Sequence, residues 1–241
     1  MTTHLLKTLA MMGVFADTGK PYFLGGTVTE ADGYRVHTFT DDGTLEIVNG
    51  GFIEVVVVGR GGNGAGGAVD YLMTYNGGGG GGGGVVYRPA LLLNQSVNIT
   101  IGKAAESTKG EDTLFGDILT AIGGGRGGNG NYSGNNGSAG GSGGGNGQCY
   151  PDFSARSAGV GQQPSSQWGG YGSNGQRNAQ GGDGGSSGFT CPITGVYYGR
   201  GGNSGDATPD AGVNYGDGGD GGRGVAGASG KQGVVIVRYE L

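Results

Sequence analysis

The sequence is poor in the residues that build disulfide frameworks, metal centres and catalytic sites. Its 241 residues include two cysteines, two histidines, one tryptophan and six prolines. Two cysteines are too few for a disulfide framework, and no Cys-x-x-Cys pair is present to hold a structural metal. Only 14% of the residues are charged, the net charge is −5, and lysine and arginine are scattered singly. No basic face is therefore expected, which excludes a nucleic acid as partner.

Long apolar runs are also missing. No run approaches the roughly 20 residues that a membrane-spanning helix needs, so no membrane insertion is expected. The first sixteen residues resemble a signal peptide only weakly, because Lys7 interrupts the apolar stretch. We interpret residues 1–32 as an attachment arm that docks on a partner protein or a neighbouring copy, with packing on its own domain as the alternative. Its apolar face, at a spacing suited to a short helix, consists of Leu5, Leu6, Leu9 and Met12.

Glycine, in contrast, supplies 65 of the 241 residues. Without a strict collagen period, such a composition is typical of low-complexity, disordered chains. Two features favour a folded domain instead. The charge content is low, and the hydrophobic residues, 34% of the chain, are concentrated in blocks rather than spread thinly.

The apolar blocks predict an all-β domain, an antiparallel β-sandwich of the jelly-roll kind. The two blocks that flank Asp41-Asp42-Gly43 are predicted to form a hairpin, and the β-branched block 52–59 a buried strand. The glycine-rich domain is assigned to residues 33–241, with the sandwich in about 33–58, 85–122 and 233–241 and glycine rods and loops in 59–84 and 123–232. The predicted strands are 33–40, 44–48, 52–59, 85–93, 96–102, 113–123 and 233–241.

The glycine segments recur between these blocks at lengths of about eight to eleven residues. We predict that they form polyglycine II helices, the polyproline II conformation with three residues per turn and no internal hydrogen bonds. Glycine lets such rods approach closely and satisfy each other's backbone groups. The octaglycine 77–84 would then be one rod in a bundle inserted into the sandwich, ending where strand 85–93 begins.

The order of strands and rods predicts which loops lie at each end of the bundle. If each glycine segment is one passage, residues 148–168 and 189–198 lie near the sandwich, and Tyr150, Phe153 and Trp168 are packing residues there. The loops expected at the far end are 68–76, 131–136, 176–180 and 206–215.

The same order of segments resembles a known family. Residues 34–47 (YRVHTFTDDGTLEI), 55–67 (VVVVGRGGNGAGG) and 78–89 (GGGGGGGVVYRP), followed by VNITIG and a closing GVVIVRY, are similar to glycine-rich bacteriophage tail and tail-fibre proteins. The rod bundle resembles the distal adhesins of T-even-like phages. The resemblance covers residues 33–241. It implies a virion protein, assembled in the host cytoplasm, whose far loops bind a protein or glycan receptor on the bacterial surface and whose arm binds other tail or fibre proteins.

Tyrosines and amides in the far loops are the candidate receptor contacts, because tyrosine gives rigid, amphipathic contact area at low entropy cost. The alternative is that these tyrosines only pack across the end of the bundle. A purely structural virion protein, in a fibre joint or a decoration, is the alternative function. The candidates are Tyr71, Tyr75, Asn76, Tyr132, Asn135, Gln176, Arg177, Asn178, Asp210 and Tyr215.

No pattern predicts an enzyme, a cofactor or a metal site. Glycosidic hydrolysis needs two carboxylates facing a cleft, whereas Asp70, Asp206 and Asp210 fall on short loops. The stretch GDGGDGG at 216–222 does not match the nonapeptide of calcium-binding β-rolls. His37, which alternates with Val36, is expected on a strand surface.

The two cysteines are separated by an even number of predicted rod passages. Cys149 and Cys191 are therefore both expected near the sandwich. A shared end makes a disulfide possible if the Cα atoms come within about 7 Å. The reducing cytoplasm in which phage particles assemble opposes such a bond, and the sequence leaves it open.

Overall fold

A computed structural model describes residues 19–71, 73–103, 109–150, 156–164 and 180–241. These residues form twelve strands and no helix, so they contain no helix that could cross a membrane. Several predicted features fall outside the described residues: the arm residues Leu5, Leu6, Leu9 and Met12, the loop residues Gln176, Arg177 and Asn178, and Phe153 and Trp168.

Two five-stranded antiparallel sheets face each other, as predicted for a β-sandwich. The first has the order β1 (Tyr22–Leu24), β4 (Gly43–Asn49), β7 (Val97–Thr100), β8 (Thr113–Phe115) and β9 (Leu119–Ala121). The second has the order β2 (Thr27–Ala31), β3 (Tyr34–Phe39), β12 (Val234–Glu240), β5 (Gly51–Val58) and β6 (Val85–Leu93). A short ribbon of β10 (Phe189–Thr190) and β11 (Tyr197–Tyr198) stands apart.

The β-branched runs of β5 and β12 are continuous because both faces of these central strands are covered. One face packs between the sheets, where Val55, Val57, Val235 and Val237 meet the core. The opposite face carries Val56, Val58, Val234 and Ile236, which pack against the ribbon through Cys191 and Tyr198. Strands buried on both faces need no polar alternation, which explains why FIEVVVV and VVIV read as unbroken apolar runs.

Three sequence-based assignments of the sandwich are wrong. The blocks around Asp41–Gly43 do not form a hairpin, because β3 belongs to the second sheet and β4 to the first. The segment 113–123 is two short strands, β8 and β9, joined at a glycine with φ of 55°. The arm does not extend to residue 32, since β1 and β2 already belong to the sheets and the sandwich begins at Tyr22.

His37 is fully buried rather than on the strand surface. Its Nδ1 lies 2.7 Å from the carbonyl oxygen of Gly25, so Nδ1 carries the hydrogen and donates it. Nε2 then accepts the hydroxyl hydrogen of Tyr239 at 3.2 Å. The same hydroxyl oxygen accepts the backbone N–H of Phe23 at 3.2 Å. This chain of bonds links β1 to β3 and β12. Burial lowers the pKa of His37, which favours the neutral imidazole.

The octaglycine Gly77–Gly84 is the central rod of the glycine bundle. Every third N–H group of this rod donates to the same neighbouring segment, so three neighbouring segments accept its N–H groups in turn. Gly77, Gly80 and Gly83 donate to Gly222, Gly219 and Gly216; Gly78, Gly81 and Gly84 donate to Gly128, Gly125 and Ile122; Gly79 and Gly82 donate to Gly182 and Gly185. A period of three is the turn of a polyglycine II helix, and these eight glycines avoid the positive φ values seen at the turns.

The carbonyl groups of the octaglycine reach three further neighbours with the same period. They accept N–H groups from segment 59–65, from segment 142–145 and from segment 202–205. The central rod is thus surrounded by six others. Because its backbone groups are paired with these neighbours, the segment satisfies the requirement for buried peptide groups without any sheet or α-helix.

Close approach explains why the central rod is all glycine. A Cβ added at any of Gly77–Gly84 would lie 1.9–2.3 Å from an oxygen of a neighbouring segment. At Gly80 the clash would be with the carbonyl oxygen of Gly62, at 2.2 Å. From Gly77 to Gly83 these are backbone oxygens, which cannot move aside cheaply, so even alanine has no room. At Gly84 the oxygen is Oε1 of Gln163. The conformational entropy lost by eight ordered glycines is offset by hydrogen bonds to the six surrounding segments.

Candidate functional site at the tip of the glycine bundle

The bundle has two ends, which we call the base and the tip. The base is the end at the sandwich, where Gly84 enters β6, and the tip is the end at Asn76, where the octaglycine begins. Segments 59–67, 123–130 and 199–205 run from base to tip, and 77–84 and 181–188 run back. The predicted positions of loops 68–76 and 131–136 at the tip and of 189–198 at the base are confirmed.

The prediction that residues 137–147 make one passage is wrong. Segment 135–140 runs from tip to base, with Asn135 beside Gly147 and Gly140 beside Val160. The chain then reverses, and 141–147 runs back to the tip, where Gln148 donates its N–H to the carbonyl of Asn76. Residues 148–150 therefore lie at the tip and not near the sandwich.

The last glycine segment also contains a reversal that the sequence did not reveal. Residues 216–222 run from base to tip beside the octaglycine, and 225–232 return beside 59–67. Of the loop 206–215, only its start lies at the tip, where Asp206 accepts the N–H of Arg223. The remainder runs back to the base alongside 216–222.

The two cysteines consequently lie at opposite ends. Cys149 follows Gln148 at the tip, whereas Cys191 packs with Val58 and Val85 at the base. Both side chains are buried. The prediction that they share an end is wrong, and the distance along the octaglycine, about 25 Å for eight residues, excludes a bond between them.

Five of the predicted receptor contacts are at the tip, including Tyr75, which is described below. Asn76 begins the central rod, where its side-chain amide donates to the carbonyl of Gln180. Among the described residues, Tyr71 is the most exposed of the large apolar side chains, at 94%, and Tyr132 and Asn135 are also exposed.

Two others are not at the tip. Asp210 lies midway along the bundle, where its backbone carbonyl accepts the N–H of Asp220. Tyr215 packs at the base, where its ring centroid lies 6.3 Å from that of Tyr198.

Tyr75 is at the tip but is fully buried. Its hydroxyl donates to Oδ2 of Asp70 at 2.8 Å, while Oδ1 of Asp70 accepts the N–H of Met73 at 3.0 Å. Burial, followed by this bond to the carboxylate, raises the pKa of Tyr75 to about 12. Tyr75 thus supports loop 68–76 from below and presents no surface to a receptor.

A tyrosine that the sequence placed at the base completes the tip. The ring of Tyr150 lies 6.4 Å from that of Tyr132 between centroids, and its N–H bonds the carbonyl of Tyr132. Arg156 donates from Nε to the carbonyl of Ser133 at 2.6 Å, which connects segment 156–164 to loop 131–136. On the other side of the tip, loop 68–76 meets the turn at Gly224 through Val69.

The stretch GDGGDGG is a brace between rods. Asp217 accepts the N–H groups of Arg200 and Asn214, both at 2.9 Å. Asp220, one turn further, accepts the N–H groups of Asn203 at 2.7 Å and Asp210 at 3.3 Å. Burial raises the pKa of Asp217, and the N–H donors oppose that rise. Among the described residues, no group of His, Cys, Asp and Glu is gathered to hold a metal.

A repeated sequence, Gly-Arg-Gly-Gly-Asn, marks three of the rods that run from base to tip. It occurs at 59–63, 125–129 and 199–203. Arg60 and Arg126 each donate from Nη2 to the asparagine three residues on, at 3.0 Å. Side chains three residues apart share a face of a threefold helix, so this repeat could have given the direction of three rods from the sequence.

The chain matches a family called the glycine-rich domain over residues 38–240. This chain belongs to the glycine-rich domain family. The match spans the sandwich from β3 to β12 together with all of the inserted bundle. No curated protein matches the chain.

Proposed function

We propose that this protein is a bacteriophage tail or tail-fibre tip protein that binds a receptor on the bacterial surface. The observation that supports the proposal is the separation of two ends. The exposed aromatic loops are gathered at the tip, whereas Gly19 and Leu241 lie at the opposite end of the sandwich, where Lys20 donates to the carbonyl of Leu241. One end is thus available for attachment and the other for recognition.

The bundle suits recognition because its loops stand on a rigid support. The central rod is held by backbone hydrogen bonds to six neighbouring segments, so the tip loops need not contribute to the core. Tyrosines held in fixed positions give contact area with little loss of side-chain entropy on binding. The proposed contacts are those tip side chains that are exposed: Tyr71, Tyr132, Asn135 and Tyr150.

Attachment is assigned to the opposite end, together with the N-terminal segment. Its partners would be other tail or fibre proteins, in a virion assembled in the host cytoplasm. A chain lacking residues 1–18 should keep its thermal stability, because the sandwich begins at Tyr22, and should fail to enter particles.

Competition for adsorption tests the recognition role. The purified protein should slow adsorption of the parent phage to its host, and the double variant Tyr71→Ala/Tyr132→Ala should lose this effect while unfolding at the same temperature. Val213→Ala, at an exposed position on the side of the bundle, is the matched control and should compete normally. If the wild-type protein does not compete, or both variants compete equally, the protein is a structural virion component instead.

A further inference from the structure

The two sheets of the sandwich end in four edge strands, and β2 differs from the other three. β1 and β9 are only three residues long, and β1 also contains a β-bulge. β6 is longer, but it contains Pro89 and pairs with β5 through an irregular register. Short length, bulges and proline keep natural edge strands from pairing with another chain. β2 is five residues long, lacks proline and lysine, pairs with β3 without a bulge and is exposed at every residue.

The free edge of β2 carries unpaired backbone groups at alternate residues. β2 and β3 are joined by the two-residue turn Asp32-Gly33, whose φ values of 51° and 78° are both positive, as in a type I′ turn. In such a hairpin Ala31 and Tyr34 exchange hydrogen bonds, and every second pair along the strands does the same. The N–H and C=O groups of Val28 and Glu30 therefore point away from β3. Within the described part of the chain, no strand lies beyond them.

The side chain of Val28 is left partly uncovered at this edge. Val28 lies opposite His37 in the register of β2 and β3, so both side chains are on the face that is turned toward the core. His37 is fully buried, whereas Val28 is 46% exposed, because the sheet ends at β2. A further strand beyond β2 would cover this apolar side chain and pair the outward backbone groups in the same step.

The charge on β2 does not prevent such pairing. Glu30 is the only charged residue of the strand. Arg35 of β3 donates from Nε to Oε1 of Glu30 at 2.7 Å, so the carboxylate is compensated within its own chain. The edge therefore presents a nearly neutral strand of threonine, valine and alanine to its surroundings.

One register lets a second copy of the chain use the whole strand. With Val28 opposite Glu30 of the second copy, all five residues are paired across a two-fold axis at Thr29, and both outward residues exchange hydrogen bonds. Placing the two Glu30 residues opposite each other would bring like charges together, which is unfavourable. Placing the two Val28 residues opposite each other would require Gly26 to continue the strand, but its φ is 63°.

We propose that two copies of this chain associate edge to edge through β2, in antiparallel orientation and in this register. The second sheets of the two copies then form one continuous sheet, and Val28 of each copy is covered by the other. The inference concerns the free protein and does not rest on the proposed receptor binding. It is tested without phage or host, so its failure is distinguishable from failure of that proposal.

The mass of the protein in solution tests the association. In size-exclusion chromatography with light scattering, the wild type should approach twice its chain mass of 23.7 kDa as its concentration rises. Val28→Glu places a second carboxylate opposite Glu30 of the other copy and should weaken association at least about tenfold, at unchanged melting temperature. The matched control is Val213→Glu, at an exposed position on the side of the bundle, which should dimerise normally. A monomeric wild type, or equal association of the wild type and Val28→Glu, would overturn the proposal.

Cysteine cross-linking tests the register. Across the two-fold axis the Cα atoms of the two Thr29 residues would lie about 4.5 Å apart, within the range of a disulfide. Thr29→Cys should therefore form a disulfide-linked dimer on mild oxidation with copper phenanthroline and oxygen, while the buried Cys149 and Cys191 stay unreacted. Thr27→Cys is the matched control, because the two copies of residue 27 would be separated by four residues along the strands, about 13 Å. Equal cross-linking of the two variants, or none in either, would contradict this pairing.

Discussion

Tyr75 and Asp70 are joined by a 2.8 Å hydrogen bond beneath the tip, and the ring of Tyr75 is fully buried. Tyr71, four residues away in the same loop, is almost fully exposed. The loop therefore contains one tyrosine that supports it and one that it presents. This pairing separates the packing role from the proposed recognition role within a single nine-residue loop.

Alanine substitutions should separate the two tyrosines. Tyr75→Ala leaves a cavity and removes the donor to Asp70, and it should lower the melting temperature by roughly 5–15 °C. Tyr71→Ala should leave the melting temperature unchanged and weaken adsorption. Calorimetry alongside adsorption per folded molecule checks both. A stable Tyr75→Ala, or a destabilised Tyr71→Ala, would contradict this division.

Gly80→Ala should destabilise the bundle severely. The new methyl group would lie 2.2 Å from the carbonyl oxygen of Gly62, and separating the rods would break hydrogen bonds on several sides. We expect a loss of at least about 3 kcal/mol in unfolding free energy. The control is Gly43→Ala, where the nearest atoms lie at an ordinary 3.5 Å. Denaturant unfolding of both variants measures the difference.

The aspartate brace predicts a hydrogen-bond loss. Asp220→Ala leaves the N–H groups of Asn203 and Asp210 without their side-chain acceptor, which should lower the unfolding free energy by about 1–3 kcal/mol. The surface pair Asp41–Lys103 offers the control, since Asp41 is largely exposed. Asp41→Ala should change stability little. Comparable losses in both variants would argue against a special role for the brace.

His37 predicts a dependence of stability on pH. Burial lowers its pKa in the folded protein below the ordinary value of 6.5, with Arg35 adding to the effect and the Gly25 carbonyl opposing it. At pH values between the two pKa values, His37 is therefore protonated in the unfolded chain and neutral in the folded chain. This contribution to stability is complete above pH 6.5 and is lost as the pH falls from 6.5 through the folded pKa. In unfolding measured between pH 7.5 and 5, His37→Gln should show a smaller decline than the wild type.

The cysteines should remain thiols under mild oxidation. Cys149 and Cys191 lie at opposite ends of the bundle, so no peptide linking them should appear in a non-reducing digest analysed by mass spectrometry. Both thiols should react with a labelling reagent only after unfolding, because both are buried. A cross-linked peptide from the native protein would show that the directions of the rods assigned here are wrong.

The sandwich could largely be predicted because its information lies in side chains. The run FIEVVVV can only be buried on both faces, and VVIVRY closes the same sheet. The hairpin at Asp41–Gly43 was wrong because turn residues equally suit a corner where the chain changes sheets. Register within a sheet depends on partners distant in sequence, and the local turn does not specify them.

The tip was harder to predict because the residues at which a glycine rod reverses direction do not differ from those within the rod. The reversal at 140–142, within AGGSG, uses the same small residues as the rods beside it. One missed reversal inverts the predicted direction of every segment that follows it, until a second error restores the count. The prediction therefore placed Tyr150 and Cys149 at the wrong end. Several true turns do carry glycines with positive φ, such as Gly205 and Gly224, but in a glycine-rich sequence these are indistinguishable from rod positions.

The threefold period of the central rod has a consequence for how this bundle can change length. Inserting three residues into a rod adds one turn, about 9 Å, and returns each N–H to the neighbour that it already faces. Inserting one residue rotates all later N–H groups by about 120° toward the wrong neighbour. The length of the bundle can therefore change only in units of three residues. Neighbouring rods must gain the same number of residues together for their hydrogen bonds to be kept.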